Sequence, residues 1–296
     1  MQQHTLPLWR SMLFVPANVP RFVSKAHERG ADAIILDLED SVPLAQKAGA
    51  REHLLAAASQ VGVNGADVVV RINSNLRLAA ADLEAAIDLS VQAICVPKVS
   101  GASQVQWLDE CITELEIERG MPAGHTRLIA LIESTAALGR LTAIANSSSR
   151  LVAMILGSED FSASAGMQPE ADGLLLPNQQ VVFAARSAGL LPLGFIGSIA
   201  EFSDLEAFRD TIRRSRRLGL RGGFCIHPAQ VSIMNEEFSP ATEEVVAARE
   251  VLAAYQAAVD AGRGSAEHGG KMIDAPVVAR ARETLVCHQR IVDHKT

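Results

Sequence analysis

Polar residues gather where short aliphatic runs give way to loops. Asp37, Glu39 and Asp40 close AIILDLED, Arg71 and Asn73 end DVVVRIN, and Lys98 follows ICVP; Glu133 follows LIALI, Glu159 and Asp160 sit in GSEDFS, and His227 follows GGFCI. Carboxylates brought together repel unless a cation or a shared proton intervenes, so Asp37, Glu133 and Asp160 at neighbouring strand ends call for compensation. An all-oxygen set, with no Cys or His at zinc spacing, points to Mg²⁺, with Mn²⁺ as the alternative. A protein shell left incomplete keeps positions for water and substrate oxygens. Arg71 offers a planar fork suited to a substrate carboxylate, beside a cation able to polarise a carbonyl or bind an alkoxide. The competing reading is internal: the acids cap the following helices or pair with Arg71 and Lys98, and Asp40 in particular suits a helix cap. His227, before a Pro that can open a helix, fits a structural hydrogen bond as well as catalysis. The other histidines share no spacing, and GSEDFS lacks the G-x-S-x-G elbow of a serine hydrolase.

The elements that must position these groups alternate regularly. Eight short aliphatic runs are each followed by a helical pattern: Ser11–Pro16, Ala33–Leu38, Asp67–Ile72, Ala93–Pro97, Arg127–Glu133, Leu151–Gly157, Leu191–Gly197 and Gly222–Ile226. Continuous rather than alternating apolar character, as in AIILDL and LVAMILG, marks parallel strands covered on both faces. An eight-fold β/α alternation predicts a (β/α)₈ barrel of the TIM type, whose reactive groups stand at the carboxyl ends of its strands. An open doubly wound sheet is the alternative, but no Gly-rich dinucleotide fingerprint marks its first turn. Helices are predicted over Pro20–Gly30, Leu44–Val61 and Ala102–Gly120.

Length and composition set limits. The 296 residues suffice for one barrel plus an appendage, and aromatics make up 4% of the chain, so the core should be aliphatic. A net charge of −7 leaves no general basic face for nucleic acid. Arg213, Arg214, Arg216 and Arg217 read as a solvated helix face. Four cysteines form no CxxC pair and no secretory pattern precedes them, so a reducing cytoplasm is the expected compartment. No apolar run reaches the roughly 18 residues of a membrane helix.

The ordered segments RSMLFVPANVPRF, KAHERGADAIILDLEDSV, VVVRIN, ICVPKV, LIALIES, ILGSEDFSA, GGFCIHPAQVSIMNEEFSP and GKMIDAPVV, from about Arg10 to about Arg282, resemble the citrate lyase β-subunit-like branch of the HpcH/HpaI aldolase family. The resemblance implies a barrel of the phosphoenolpyruvate/pyruvate superfamily over 1–238 and a helical C-terminal extension over 239–296 that packs on a neighbouring subunit of a homo-oligomer, a trimer or a dimer of trimers. It further implies Mg²⁺ on Glu133 and Asp160, Arg71 on the substrate's carboxyl and carbonyl oxygens, and Asp274 of GKMIDAP delivered to the adjacent subunit's site. The implied activity is reversible carbon–carbon cleavage of a 3-hydroxy-carboxyacyl thioester such as malyl-CoA or citramalyl-CoA. Catalytic roles are expected for Arg71, Asp274 and Asp37, substrate binding for Arg71 and Glu133, and contacts to the CoA moiety for Arg21 and Lys25. Three departures from the family pattern bear on substrate identity: VPA with Ala17 and Asn18 where VPG is usual, Asn178 where an Arg is usual, and no Asp near Leu193. A thioesterase using the same site, a citrate lyase β subunit working on a carrier protein, and a CoA-ester binder without turnover are the alternatives.

Overall fold

Each of the eight aliphatic runs forms a parallel strand: β1 (Ser11–Pro16), β2 (Ala33–Asp37), β3 (Asp67–Arg71), β4 (Ala93–Val96), β5 (Arg127–Ile132), β6 (Leu151–Leu156), β7 (Leu191–Leu193) and β8 (Gly223–Cys225). The computed structural model describes residues 6–200 and 203–294. The ladder runs β7-β6-β5-β4-β3-β2-β1-β8. The seam between β7 and β8 is closed by two backbone bonds, from Gly194 N–H to Gly222 O (2.8 Å) and from Arg221 N–H to Pro192 O (2.9 Å). The chain thus builds a (β/α)₈ barrel rather than an open sheet.

Alternation along each strand sorts side chains into two layers. Met12, Ile35, Val69, Cys95, Ile129, Leu131, Ile155, Leu193 and Phe224 fill the barrel interior, whereas Leu13, Ile34, Leu36, Val70, Ile94, Leu128, Met154 and Leu156 pack under the helices. The same parity continues to the carboxyl ends of the strands and just past them. Phe14, Asp37, Arg71, Glu133 and Gly157 each stand two residues past an interior position (Met12, Ile35, Val69, Leu131 and Ile155).

Buried charges at the amino ends of the strands are internally paired. Arg10 forks onto Asp32 through Nε–Oδ2 (2.8 Å) and Nη2–Oδ1 (2.6 Å). Trp9 donates to Asp67 at 2.8 Å, and Arg150 reaches Asp109 and Glu116 at 2.6 and 2.7 Å. This end is built for stability, as expected for the face of such a barrel that lies opposite its chemistry. The backbones are so close here that a Cβ on Gly222 would lie 1.8 Å from the Trp9 carbonyl oxygen.

Three of the predicted elements differ by more than two residues, the first being the helix predicted over Pro20–Gly30, which ends at Ala26. The stretch predicted as one helix over Leu44–Val61 is a 3₁₀ turn (Leu44–Gln46) and two helices, Lys47–Glu52 and Leu54–Val61, parted at His53 (φ −103°, ψ 1°). The seventh strand stops at Leu193 rather than Gly197, because Gly194 turns to φ +123°.

The chain divides after Phe238 into two compact units. The second contains helices Thr242–Asp260 and Ala275–His294 and a two-stranded hairpin, β9 (Ala266–His268) with β10 (Lys271–Ile273). Gly269 and Gly270 at the hairpin tip both have positive φ, the backbone of a tight two-residue hairpin turn. Among the described residues no helix is long and apolar enough to cross a membrane.

Candidate active site

At the carboxyl end of the barrel, Arg71 is held from below and from the side. Asp37 lies opposite it in the β2–β3 register. Arg71 Nε and Nη2 donate to Asp37 Oδ1 and Oδ2 at 2.7 and 2.8 Å, and Nη1 stands 3.2 Å from Glu39 Oε2. Its guanidinium lies 4.6 Å above the Phe14 ring, which packs edge-on against Phe224. Asp37 is 1% exposed and also accepts the backbone N–H groups of Glu39 and Ser41. Burial opposes its ionisation, but the Arg71 hydrogen bonds and charge outweigh burial and hold its carboxyl below the usual range. Glu39 shifts upward: burial dominates, and Arg71 and Lys98 offset it only in part. The same carboxylates raise the pKa of Arg71 against its own burial, so it stays a cation.

Glu133, one residue past β5, is placed differently. It is buried, and its Oε2 accepts the Lys98 N–H at 2.5 Å. Burial pushes its carboxyl up to about 8, with further repulsion from Asp160 and Glu39. Among the described residues neither Glu133 nor Asp160 has an ion-pair partner. Asp160 lies in the first turn of the helix Ser158–Ala165, where the helix field favours a carboxylate. Both acids line a cavity of about 100 Å³ together with Arg71, Phe14, Leu131, Ile155, Gly157 and Phe224. Gly157 leaves the room for Glu133: a Cβ there would sit 2.6 Å from Glu133 Cγ. Two adjacent oxygen-donor carboxylates without a cationic partner, one of them costly to ionise alone, fit a hard divalent cation. No larger group of three or more His, Cys, Asp or Glu suited to a metal occurs among the described residues.

A second cavity, of about 1070 Å³, shares Phe14, Arg71 and Ile199 with the first and extends along the first helix. Arg21, Lys25 and Arg29 line it with Phe22, so three cations and an exposed ring face one hollow that leads to Arg71. Arg21 lies 4.7 Å above the Phe22 ring. The volume and the charge suit a long anionic ligand.

The structure therefore brings Arg71, Asp37, Glu133 and Asp160 to one mouth, with Arg21 and Lys25 beside it. Asp274 belongs to the second unit, just before the helix Ala275–His294, where its Oδ1 accepts the Val277 N–H at 3.3 Å. His227 caps the helix Pro228–Glu237: its Nδ1 accepts the Ala229 N–H and Gln230 Oε1 accepts the His227 N–H. Asn73 ties β3 to Leu38 O and Asp82. Arg213 pairs with Glu237 and Asp210 on the surface, in keeping with a solvated helix face. Glu39 and Lys98 carry the internal pairing that competes with the metal reading in the sequence: Glu39 meets both Arg71 and Lys98. Cys95 and Cys225 are fully buried, and burial pushes both thiols up, away from nucleophilic use. Asn178, at a departure from the family pattern, is also buried, with Nδ2 donating to Leu174 O; a Cβ on Gly194 would lie 3.1 Å from its Oδ1.

Residues 10–228 match the family model described as HpcH/HpaI aldolase/citrate lyase. The chain is 34% identical over 281 residues to the citrate lyase subunit beta of Leuconostoc mesenteroides subsp. cremoris, covering 94% of this chain and 92% of that one. It is 36% identical over 300 residues to an L-malyl-CoA/beta-methylmalyl-CoA lyase of Cereibacter sphaeroides, covering 92% of each. Among solved structures, CitE from Mycobacterium tuberculosis in complex with magnesium, acetoacetate and coenzyme A aligns with a TM-score of 0.74 at 29% identity, over 96% of this chain and 99% of that one.

Proposed function

The chain belongs to the HpcH/HpaI aldolase/citrate lyase family, and we propose that it is a Mg²⁺-dependent lyase that cleaves or forms a carbon–carbon bond in a 3-hydroxy-carboxyacyl-CoA of the malyl or citramalyl type. The observation that carries this reading is the pairing of Glu133 and Asp160, two carboxylates without a cation, in the same cavity as a guanidinium already oriented by two acids. When bound by Glu133 and Asp160, Mg²⁺ supplies positive charge to the substrate's hydroxyl and carboxylate oxygens.

Arg71 faces the same oxygens and stabilises the charge that develops as the hydroxyl loses its proton and the carbon–carbon bond breaks. Because Asp37 and Glu39 fix its fork beforehand, little reorganisation accompanies the reaction. One product is an α-oxo acid, glyoxylate or pyruvate; the other leaves as the enolate of acetyl-CoA and takes up a proton at carbon. Asp274, supplied by the second unit of a neighbouring copy, takes the hydroxyl proton and returns one to the enolate carbon. Arg21 and Lys25 hold the CoA phosphates in the larger cavity, which places the thioester beside Arg71. The need for Asp274 from a neighbouring copy calls for a homo-oligomer, for which the family resemblance implies a trimer or a dimer of trimers, and light scattering of the purified protein tests it.

The deciding assay incubates the protein and Mg²⁺ separately with malyl-CoA and citramalyl-CoA, following acetyl-CoA, free CoA and the oxo acid together by mass spectrometry. Acetyl-CoA with equimolar glyoxylate or pyruvate is the expected result. Free CoA with an intact hydroxy-diacid would replace the lyase with a thioesterase. No turnover of either ester, with turnover of a carrier-protein thioester, would move the reaction to a citrate lyase β subunit.

A further inference from the structure

Lys98 has φ +50°, the one non-glycine residue in the left-handed region among the described residues. A side chain with a Cβ disfavours that conformation, and such outliers persist where surrounding contacts enforce them. The contacts here are specific. The turn of the backbone presents the Lys98 N–H to Glu133 Oε2, and the next peptide donates from Val99 N–H to Leu131 O at 3.2 Å, so the segment is clamped to β5. The side chain runs the other way: Nζ donates to Glu39 Oε1 at 2.9 Å and lies 3.5 Å from Asp40 Oδ1. Glu39 in turn faces Arg71. One residue therefore connects the two halves of the mouth, through its backbone to the metal-side carboxylate and through its ammonium to the acids that orient Arg71.

Resting on the lyase reading, we propose that Lys98 is a positioning residue. Its left-handed backbone holds the Glu133 carboxylate in place for the cation, and its ammonium, tied to Glu39, keeps the backbone in that conformation. The side chain takes no part in the bond-breaking step.

Two replacements separate the backbone from the ammonium. Lys98→Gly removes the ammonium but adopts positive φ freely, whereas Lys98→Val removes it and strongly resists positive φ. Mn²⁺ affinity is read without substrate, by the paramagnetic resonance of the free ion, alongside circular dichroism melts. The Gly protein should bind Mn²⁺ within about threefold of the unchanged protein and the Val protein about tenfold more weakly. Lys98→Arg, which keeps the cation, should bind as the unchanged protein does. Equal affinities for the Gly and Val proteins, whether both tight or both weak, would overturn the proposal. If the Val protein does not fold, Lys98→Ala replaces it, with about a fivefold loss expected. If the unchanged protein binds no Mn²⁺, the metal reading fails, and crystal structures of the variants then decide this inference. Glu133 displaced in the Val or Ala protein but not in the Gly protein supports it; Glu133 in one position in both overturns it.

Discussion

Asp37 and Arg71 are partners twice over: they face each other across the last rung between β2 and β3, and their side chains close a two-bond fork of 2.7 and 2.8 Å. The pairing changes the meaning of Asp37. Both of its oxygens also accept backbone N–H groups, and its carboxyl is held in the ionised form. A group so fully occupied does not exchange protons near neutral pH; it aims Arg71.

Replacing Asp37 by Asn tests that assignment. The amide keeps one carbonyl oxygen for a backbone donor but turns an NH₂ toward the guanidinium, so the fork opens and a buried charge loses its partner. Turnover should fall about a hundredfold, as for a misplaced reacting group, with KM for the CoA ester nearly unchanged. Urea unfolding should show a loss of about 3 kcal/mol. An Asn protein with normal turnover and reduced stability would mean that the pair only holds the strands together.

Arg71→Lys keeps a positive charge and discards the planar fork. A lysine cannot satisfy Asp37 in two places and still face the cavity, so kcat/KM should drop by about 10² to 10³. Mn²⁺ affinity should remain as before, because among the described residues Arg71 forms its ion pairs with Asp37, Glu39 and Asp40 and none with Glu133 or Asp160. A matching loss of metal affinity would show that the two halves of the site are not separable in this way.

Much of this arrangement was legible in the chain. The continuous apolar runs AIILD and LVAMIL announced parallel strands covered on both faces, and strand parity then carried Asp37, Arg71 and Glu133 to the interior side of the mouth. What escaped depends on contacts between residues far apart in sequence. That Asp37 would take Arg71, leaving Glu133 without a cation, is a choice among several acids that the order of residues does not make. The left-handed backbone of Lys98 has no local marker, since only the Glu133 and Glu39 contacts enforce it. The hairpin in the C-terminal unit did have one: Gly269-Gly270 between two short extended runs is a tight-turn signal, overshadowed by the helical pattern on either side.

Arg21 and Lys25 line the larger cavity and, among the described residues, neither forms an ion pair, so their removal should act mainly on binding. The double change Arg21→Ala with Lys25→Ala should raise KM for the CoA ester about tenfold or more, leave kcat within about twofold, and flatten the salt dependence of KM. The corresponding pantetheine thioester, which lacks the nucleotide phosphates, should be turned over equally well by both proteins. A similar KM increase for the pantetheine ester would place the CoA phosphates elsewhere.

Gly157 is kept open by Glu133, whose Cγ would stand 2.6 Å from an added Cβ. Gly157→Ala must push Glu133 aside or bend β6, at a cost of about 1–3 kcal/mol in stability. The more telling effect is on the cation: Mn²⁺ affinity should fall at least about tenfold, because a ligand held out of place is a common route to such losses. Calorimetric titration together with thermal melts reads both. Unchanged affinity would mean that Glu133 can move by that distance and still bind, which would loosen the case for a preformed site.

Glu133 also sets a pH dependence whose direction can be worked out. Burial, joined by repulsion from Asp160 and Glu39, pushes its carboxyl from an ordinary 4.5 up to about 8. In the metal-free folded protein it therefore keeps its proton over a range where the unfolded chain has lost one. The folded state binds more protons, so stability falls as pH rises from about 4.5 to about 8, by at most about 1.4 kcal/mol per unit, and the penalty is constant above that range. Metal must displace this proton. Apparent Mn²⁺ affinity should thus climb about tenfold per pH unit below about 8 and level off above. Melting curves and Mn²⁺ titrations at half-unit steps from about pH 6 to 9 would show both trends, and Glu133→Gln should abolish them together. An affinity independent of pH in the unchanged protein would show that Glu133 is ionised before the metal arrives or does not bind it, and the assignment of the site to Glu133 and Asp160 would then fail.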